Sequence, residues 1–185
     1  ANKGVERLIY LVKDLDFLTN LEQGNIRLDL NNFDIVVLIN NVFEMMEIRS
    51  KKSNVILEFD KDYNEPILVN GDYERIQQVL TNLIVNSIKY GTQGGKTEVR
   101  IQSFDKEKLI IRVKDNGEGI DYENLPRLFE RFFRIDKSGN RKKGGSGLGL
   151  SIVKHIIEAH GEQIFVESQL NVGSEFSFTL SKARI

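Results

Sequence analysis

The sequence predicts an α+β fold, a two-layer α/β sandwich in which helices pack on a sheet. Segments with an apolar residue every three or four positions alternate along the 185 residues with shorter segments in which apolar and polar residues alternate. Two pairs of the shorter segments are neighbours in the chain and are joined by turn-forming residues, which favours antiparallel hairpins. Helices mixed with antiparallel strand pairs pack most naturally as two layers.

Composition and charge place the chain among soluble globular proteins with one main domain. Hydrophobic residues make up 40% and charged residues 29%, with two prolines. The 26 basic and 27 acidic residues give a net charge of −1, so charge alone demands no polyanionic partner. The absence of cysteine excludes a disulfide framework, a thiolate nucleophile and cysteine-based zinc sites. No apolar run approaches the roughly 20 residues that span a bilayer, and the start resembles no signal peptide. A cytoplasmic location fits the absence of cysteine, and the missing initiator Met indicates a fragment.

The first element is an amphipathic helix from Val5 to Leu21. Its apolar stripe comprises Val5, Leu8, Ile9, Val12, Leu15 and Leu18. Gly24 follows as a stop signal. We interpret the helix as half of a helical hairpin whose partner is not in the sequence, with packing on the main domain as the open alternative. The boundary is therefore expected between residues 1–24 and a main domain at 25–185.

Capping residues predict the next helices. Asp34 is a suitable N-cap for a second helix, and Asp72 for a long third helix that runs to Tyr90. Strands are predicted between them at Val55–Phe59 and Ile67–Val69.

The second half of the chain is predicted to contain two strand pairs, Thr97–Phe104 with Leu109–Asp115 and Ile164–Ser168 with Ser174–Ser181. A short helix is expected near Leu125–Phe132, and a longer one over Leu148–Ala159, which Gly161 ends. The stretch Arg134–Ser146 has glycines and charges without an apolar period, so we expect a mobile loop.

Asp115 is the first candidate functional residue. It continues the apolar row Leu109, Ile111 and Val113 on one strand face, so its carboxylate needs a hydrogen-bond donor. That donor could be a protein N–H group, as in an Asx turn, or the exocyclic amine of a ligand. The following Asn-Gly-Glu-Gly lets the backbone approach a flat ligand closely. Both alternatives stay open.

The third helix carries a polar face that suits magnesium and phosphate. Arg75, Asn82, Asn86 and Lys89 fall within an arc of about 60° at the helical repeat. Carboxamide oxygens can bind a hard cation, and the lysine can reach a phosphate. A solvated polar face is the alternative.

A glycine run over residues 144–149 leads directly into a helix, where free N–H groups and the helix dipole favour an anion. It fits neither the P-loop nor the dinucleotide-binding pattern. Between Arg127 and Lys143, seven basic residues stand against two acidic ones, which favours a polyphosphate over nucleic acid. We interpret Phe129, Phe132 and Phe133 as anchors that pack the base of this basic lid.

Four motifs in order carry a family resemblance. QQVLTNLIVNSIKYG, DNGEGI, LFERFFRID and GGSGLGLSIVKHIIEAHG resemble the asparagine, first glycine, phenylalanine and second glycine boxes of bacterial sensor histidine kinases, in the GHKL superfamily. NVGSEFSF is similar to the terminal strand motif, with Asn171 and Glu162 in place of usual glycines. GVERLIYLVKDLDFLTNLEQGN resembles the second helix of the dimerisation and phosphoacceptor hairpin. The resemblance implies the Bergerat ATP-binding fold.

The resemblance also implies a binding site for ATP and Mg²⁺. Asn86 would ligate the metal, with Asn82 beside it, and the catalytic set would be Asn86, Lys89, Arg134 and Lys143. Asp115 would accept the adenine amino group, and Ser174 would help through water. The remaining residues implied to bind ATP are Lys89, Tyr90, Gly117, Gly119, Ile120, Gly145, Ser146, Gly147, Leu148, Gly149 and Leu150.

The implied activity is transfer of the γ-phosphoryl group to a histidine on a dimerisation helix. The resemblance also implies a response regulator as the downstream partner, and a homodimeric parent protein that can be anchored in the inner membrane. His155 and His160 lack the acidic neighbour that follows a phosphoacceptor, so the chain alone is not expected to autophosphorylate. One alternative is a GHKL ATPase, although Asn82 stands where those enzymes place a general-base glutamate. The other is a non-catalytic nucleotide-sensing interaction module. No nucleic-acid partner is expected.

Overall fold

The computed structural model describes residues 2–135 and 145–184, and it confirms an α+β architecture. The helices are α1 (Asn2–Glu22), α2 (Ile35–Lys52), α3 (Tyr73–Lys89) and α4 (Gly149–Ala159), with a 3₁₀ helix at Tyr122–Arg127. The strands are β1 (Leu30–Asp34), β2 (Ile56–Phe59), β3 (Leu68–Asp72), β4 (Lys96–Ser103), β5 (Lys108–Asp115), β6 (Ile164–Gln169) and β7 (Gly173–Lys182).

One sheet holds all these strands in the order β1-β3-β7-β5-β4-β2, and β6 pairs with β7 beside β3. Every pairing is antiparallel except that of β2 with β4. The two predicted hairpins, β4–β5 and β6–β7, are confirmed. The β5–β7 pairing runs from Lys108 opposite Ser181 to Asp115 opposite Ser174, so β5 ends beside the start of β7.

The helices pack on the sheet through a continuous apolar core. Helix α3 lies between α2 and α4, and its buried residues follow a helical repeat from Ile76 to Ser87. Phe178 of β7 and Ile111 of β5 are fully buried below it. The opposite, polar side of α3 is left for other contacts.

The predicted caps are confirmed at both helices. Asp34 Oδ1 accepts from the Val36 N–H at 2.9 Å, and Asp72 Oδ1 accepts from the Arg75 N–H at 3.2 Å. These bonds satisfy N–H groups that have no partner within a helix, so they set where α2 and α3 begin.

Helix α1 is divided between two environments. Its C-terminal half packs on the main domain, where Leu18 and Leu21 are buried near α4 and Glu22 pairs with Arg131. Its N-terminal half leaves Val5 57% and Leu8 61% exposed. The C-terminal half of α1 therefore packs on the main domain, whereas the N-terminal half presents an apolar stripe that the described residues leave uncovered.

One helix prediction was wrong in detail, and one strand was missed. The helix expected at Leu125–Phe132 is a 3₁₀ helix displaced towards the N-terminus, because Asp121 caps it and Phe132 has a φ of 62°, which no helix accommodates. Strand β1 was not predicted at all. The expected mobile loop lies mostly outside the described residues. Within the described ranges, no helix combines the length and apolar character needed to cross a membrane.

Candidate functional site

A cavity of about 250 Å³ opens where the polar side of α3, the loop after β5 and the segment before α4 meet. Its walls contain most of the site residues that the sequence predicts. The lining residues are Asp14, Asn82, Val85, Asn86, Lys89, Tyr90, Glu118, Gly119, Ile120, Leu128, Phe133, Arg134, Ile135, Gly145, Ser146, Gly147, Gly149, Leu150 and Ser174.

Helix α3 provides one wall through Asn82, Asn86 and Lys89, which lie on successive turns. The Asn82 side-chain N–H donates to the Gly149 carbonyl at 3.3 Å, which ties this wall to the first residue of α4. The Lys89 ammonium lies 5.1 Å from the centre of the Tyr90 ring. It also lies next to Gly145, where an added Cβ would overlap it. Amide oxygens and a cation thus line the same end of the cavity.

Arg75 does not belong to this wall, although the sequence places it on the same helical face. Its guanidinium lies 4.4 Å from the centre of the Phe17 ring in α1, and it also donates to Gln78. The reason is distance along the helix, since Arg75 is almost two turns before Asn82 and meets α1 instead.

Asp115 lies at the end of β5, next to the cavity but not among its lining residues. It is 6% exposed, and its Oδ1 accepts from the N–H groups of Gly117 at 2.9 Å and Ser174 at 3.3 Å. The Asx turn, which the sequence left open as one of two alternatives, is therefore formed. Burial raises the pKa of Asp115 above its ordinary value, the two N–H groups oppose that shift, and nearby Glu118 adds to it. Oδ2 accepts no hydrogen bond from the described residues.

The loop after β5 is held close to the β6–β7 hairpin. At Gly119, with a φ of 72°, an added Cβ would overlap the Gln169 carbonyl oxygen, so only glycine fits. The Asn171 N–H donates to the Glu118 carbonyl at 2.7 Å from the other side. Asn171 itself has a φ of 62°, which explains how it occupies a position where glycine is usual. Gly117 lies behind the wall, beside Tyr90.

The opposite wall is the segment before α4. The Phe132 N–H donates to the Gly147 carbonyl at 2.9 Å, and the Leu148 N–H donates to Ser146 Oγ at 3.1 Å. Leu148 is fully buried in the core rather than in the cavity, and it provides no side-chain cap for α4. The first N–H groups of α4 are thus not satisfied by a capping side chain, which suits an anion. Lys143 lies outside the described residues.

The predicted phenylalanine anchors are confirmed at two positions of three. Phe129 packs edge-on against Phe176 at 6.3 Å, and Phe133 lies under the Arg127 guanidinium at 4.5 Å. Phe132 is 51% exposed, so its role as an anchor was wrong. The left-handed backbone at this residue turns its side chain away from the core.

Several lining residues were missed by the sequence analysis: Asp14, Val85, Glu118, Leu128 and Ile135. Val85 and Glu118 are sequence neighbours of predicted site residues, so the motifs themselves could have indicated them. Nothing local in the sequence indicates that Asp14 reaches the cavity, because that depends on where α1 packs.

The donor chemistry of the cavity fits a hard divalent cation that arrives with phosphates. Among the described residues there is no cluster of three or more His, Cys, Asp or Glu side chains that could hold a metal alone. The wall instead offers the carboxamide oxygens of Asn82 and Asn86 and the Asp14 carboxylate. Mg²⁺ in proteins typically keeps several waters and takes one or two carboxylates with substrate phosphates, which matches this set.

Comparison with known proteins points the same way. Residues 71–184 match the family described as histidine kinase-, DNA gyrase B-, and HSP90-like ATPase. The sensor histidine kinase WalK of Bacillus subtilis (strain 168) is 36% identical over 177 residues, which cover 95% of this chain and 28% of WalK. The chain thus spans less than a third of the length of that relative.

Two solved structures share the architecture. Full-length ShkA in complex with AMPPNP superposes with a TM-score of 0.86 at 26% identity, over 99% of this chain and 38% of ShkA. The histidine kinase ThkA, in complex with the response regulator protein TrrA, gives a TM-score of 0.76 at 29% identity, over 98% of this chain and 49% of that one.

Proposed function

We propose that this chain, which belongs to the histidine kinase-, DNA gyrase B- and HSP90-like ATPase family, binds Mg-ATP. It donates the γ-phosphoryl group of ATP to a histidine on a dimerisation helix in two-component signalling. The observation that carries the proposal is the cavity. It combines amide oxygens and a lysine on α3 with an uncapped helix start at α4, and a buried carboxylate lies next to it at the end of β5.

The two ends of the cavity suit the two ends of ATP. The adenine end is formed by Gly119, Ile120 and Ser174, with Gly117 behind them. Asp115 Oδ2 is the acceptor for the adenine amino group, since Oδ1 is already occupied by two backbone donors.

The polyphosphate end lies towards α4. Lys89 and Tyr90 border the phosphates and ribose. N–H groups of the segment from Gly145 to Leu150 donate hydrogen bonds to the phosphate oxygens. Leu148 lies within this segment, but its side chain is in the core and its N–H donates to Ser146 Oγ at 3.1 Å. Arg134 and Lys143 are assigned to the γ-phosphate.

Asn86 is the proposed magnesium ligand, with Asn82 beside it. Bound Mg²⁺ would neutralise charge that develops on the transferring phosphoryl group. The chain itself contributes position and electrostatic complementarity, and the ring nitrogen of an incoming neutral histidine attacks phosphorus as ADP leaves. No general base is therefore needed in this chain.

Asn82 favours a kinase over an ATPase. Its carboxamide cannot take a proton from water at neutral pH, and its N–H group is committed to the Gly149 carbonyl. A base that activates water is therefore missing at the position where the ATPases of this superfamily place one.

Neither histidine of this chain is a suitable phosphoacceptor. Both ring nitrogens of His160 are engaged, since Nε2 accepts from the Asp72 N–H at 3.0 Å and Nδ1 bonds the Ile156 carbonyl at 2.8 Å. His155 lies beside Glu22, between α4 and α1. The target histidine accordingly belongs to a helix other than those of this chain, and the chain alone does not autophosphorylate.

The remaining assignments concern assembly. Residues 1–24 form the second helix of the dimerisation hairpin, and the uncovered stripe of α1 faces the first helix and a second subunit. The downstream partner is a response regulator, as for ThkA, whose structure was solved in complex with TrrA. We place this catalytic part in the cytoplasm, where ATP is available, and its parent at the inner membrane.

Phosphotransfer in trans tests the proposal. The chain is incubated with radiolabelled ATP, Mg²⁺ and a separate phosphoacceptor-hairpin polypeptide of the parent protein. We expect acid-labile label on the hairpin, and none when its histidine is replaced or when Asp115→Ala replaces the wild-type chain. ATP binding without any labelling would instead indicate a nucleotide-sensing module.

A further inference from the structure

Asp14 reaches the nucleotide cavity from outside the matched family region. It belongs to α1, whereas the family match begins at residue 71. It lines the same cavity as Asn82, Asn86 and the segment from Gly145 to Gly149. The packing of α1 on the main domain therefore adds a negatively charged group to the cavity that also contains the residues assigned to the phosphates and the metal.

The Asp14 carboxylate has no partner among the described residues. It makes no hydrogen bond or ion pair there, and its partial burial raises its pKa above the ordinary value. Removing a carboxylate from water without a donor or a counter-ion is unfavourable, so such groups are usually paired or bind metals. Asn82 and Asn86 of α3, which line the same cavity, offer neutral amide oxygens that can share a cation but cannot neutralise the charge.

Packing of α1 does not require this carboxylate. Leu18 and Leu21 provide the buried contact, and Glu22 provides an ion pair with Arg131 and a polar contact with His155. Asp16, two residues further along the same helix, is exposed and lies outside the cavity. The two aspartates therefore differ in burial and in whether they line the cavity.

We propose that Asp14 makes nucleotide binding selective for the magnesium complex. Its negative charge repels a metal-free polyphosphate and attracts a divalent cation held among the phosphates and the α3 amides. Both effects increase the preference for the Mg²⁺ complex, because repulsion weakens binding of the free nucleotide and attraction strengthens binding of its Mg²⁺ complex. This inference rests on the proposed function, since it needs the nucleotide in this cavity.

Calorimetric titration with the ATP analogue AMPPNP tests the inference. Affinity is measured with excess Mg²⁺ and with EDTA for the wild type, Asp14→Asn, Asp14→Ser and the matched control Asp16→Asn. We expect both Asp14 variants to lower the ratio of the two affinities by about fivefold or more, a typical size for coupling between two ligands. Part of that change should be tighter binding in EDTA, and Asp16→Asn should keep the wild-type ratio.

The outcomes separate the inference from the function on which it rests. An unchanged ratio in both Asp14 variants, while the wild type binds AMPPNP, overturns the role of Asp14 and leaves the proposed function intact. An equal loss of affinity with and without Mg²⁺ also overturns it, because it indicates a structural role. Absence of binding by the folded wild type overturns both proposals.

Discussion

Asp115 and Ser174 are directly opposite each other across the β5–β7 pairing, and the Ser174 N–H donates to Asp115 Oδ1 at 3.3 Å. The Gly117 N–H shares the same oxygen, so both protein donors use one side of the carboxylate. With one oxygen held and the other accepting from none of the described residues, this buried carboxylate is oriented to accept a further hydrogen bond. This orientation is why we assign the adenine amino group to Asp115.

Replacing Asp115 by asparagine should separate binding from folding. The oxygen of the introduced carboxamide can keep the two backbone bonds, but its NH₂ group would then point where an acceptor is needed. A lost hydrogen bond to a charged group costs about 1.5–3 kcal/mol, so AMPPNP affinity should fall by roughly tenfold or more. Isothermal titration of Asp115→Asn against the wild type measures this, and undiminished affinity would remove Asp115 from the adenine site.

The same variant should unfold at a higher temperature at neutral pH. Burial raises the folded-state pKa of Asp115, so the native protein binds this proton more tightly than the unfolded chain does. The charged form therefore destabilises the fold once the pH exceeds the raised pKa, and the neutral carboxamide removes that effect. At pH 7 the unfolding temperature of Asp115→Asn should exceed that of the wild type. The difference between the two temperatures should shrink as the pH approaches the ordinary aspartate pKa of about 3.9. A lower unfolding temperature at pH 7 would contradict it.

Local signals explain which parts of this fold could be predicted. The starts of α2 and α3 depend on Asp34 and Asp72, whose side chains bond N–H groups two or three residues away, so the sequence alone locates them. The sequence LNNFD of β1 has no clear alternation, and its pairing with β3 depends on residues almost 40 positions later. No local pattern could have predicted that strand.

The candidate site likewise contains some residues whose grouping depends on local sequence and others whose position depends on tertiary packing. Asn82 and Asn86 lie on one face of a helix, and the turn after Asp115 is encoded by consecutive residues, so their grouping could be predicted. Asp14 reaches the cavity only because Leu18 and Leu21 dock α1 beside α4, a tertiary contact that the amphipathic pattern of α1 does not specify. Phe132 was misjudged because its positive φ cannot be predicted from a run of aromatic residues.

Asn86→Ala should weaken nucleotide binding and reduce its dependence on Mg²⁺. The carboxamide oxygen is the proposed metal ligand, and alanine leaves that coordination position to water. Titration of AMPPNP at several Mg²⁺ concentrations measures the effect. Asn40→Ala on α2 is a matched control, because Asn40 is exposed and lies outside the cavity. A wild-type Mg²⁺ dependence in Asn86→Ala would exclude Asn86 as the ligand.

Leu18→Ala and Leu8→Ala should differ sharply in stability, although both shorten a leucine on α1. Leu18 is fully buried, and such truncations cost about 2–5 kcal/mol. Leu8 is 61% exposed in this chain, so its truncation should change the free energy of unfolding by less than about 0.5 kcal/mol. Urea denaturation measures both. Equal effects would mean that the C-terminal half of α1 is not docked in solution.

His155 should make the stability of this chain fall as the pH drops from neutrality. Burial lowers its pKa below the ordinary value, and Lys154 and Arg131 act in the same direction against the opposing effect of Glu158. The unfolded chain therefore binds this proton at a higher pH than the native protein does. The stability that depends on neutral His155 is fully present above the ordinary histidine pKa of about 6.5, and it is lost as the pH falls through the lowered pKa of the folded state.

His155→Gln should flatten this part of the pH profile, because glutamine carries no titratable group. The expected result is a smaller difference between the free energies of unfolding at about pH 7.5 and about pH 5.5 for the variant than for the wild type, measured by urea denaturation. His160→Gln does not serve as a control, since it would break the bond from the Asp72 N–H at the start of α3. A profile in the variant as steep as that of the wild type would place the pH dependence in other groups.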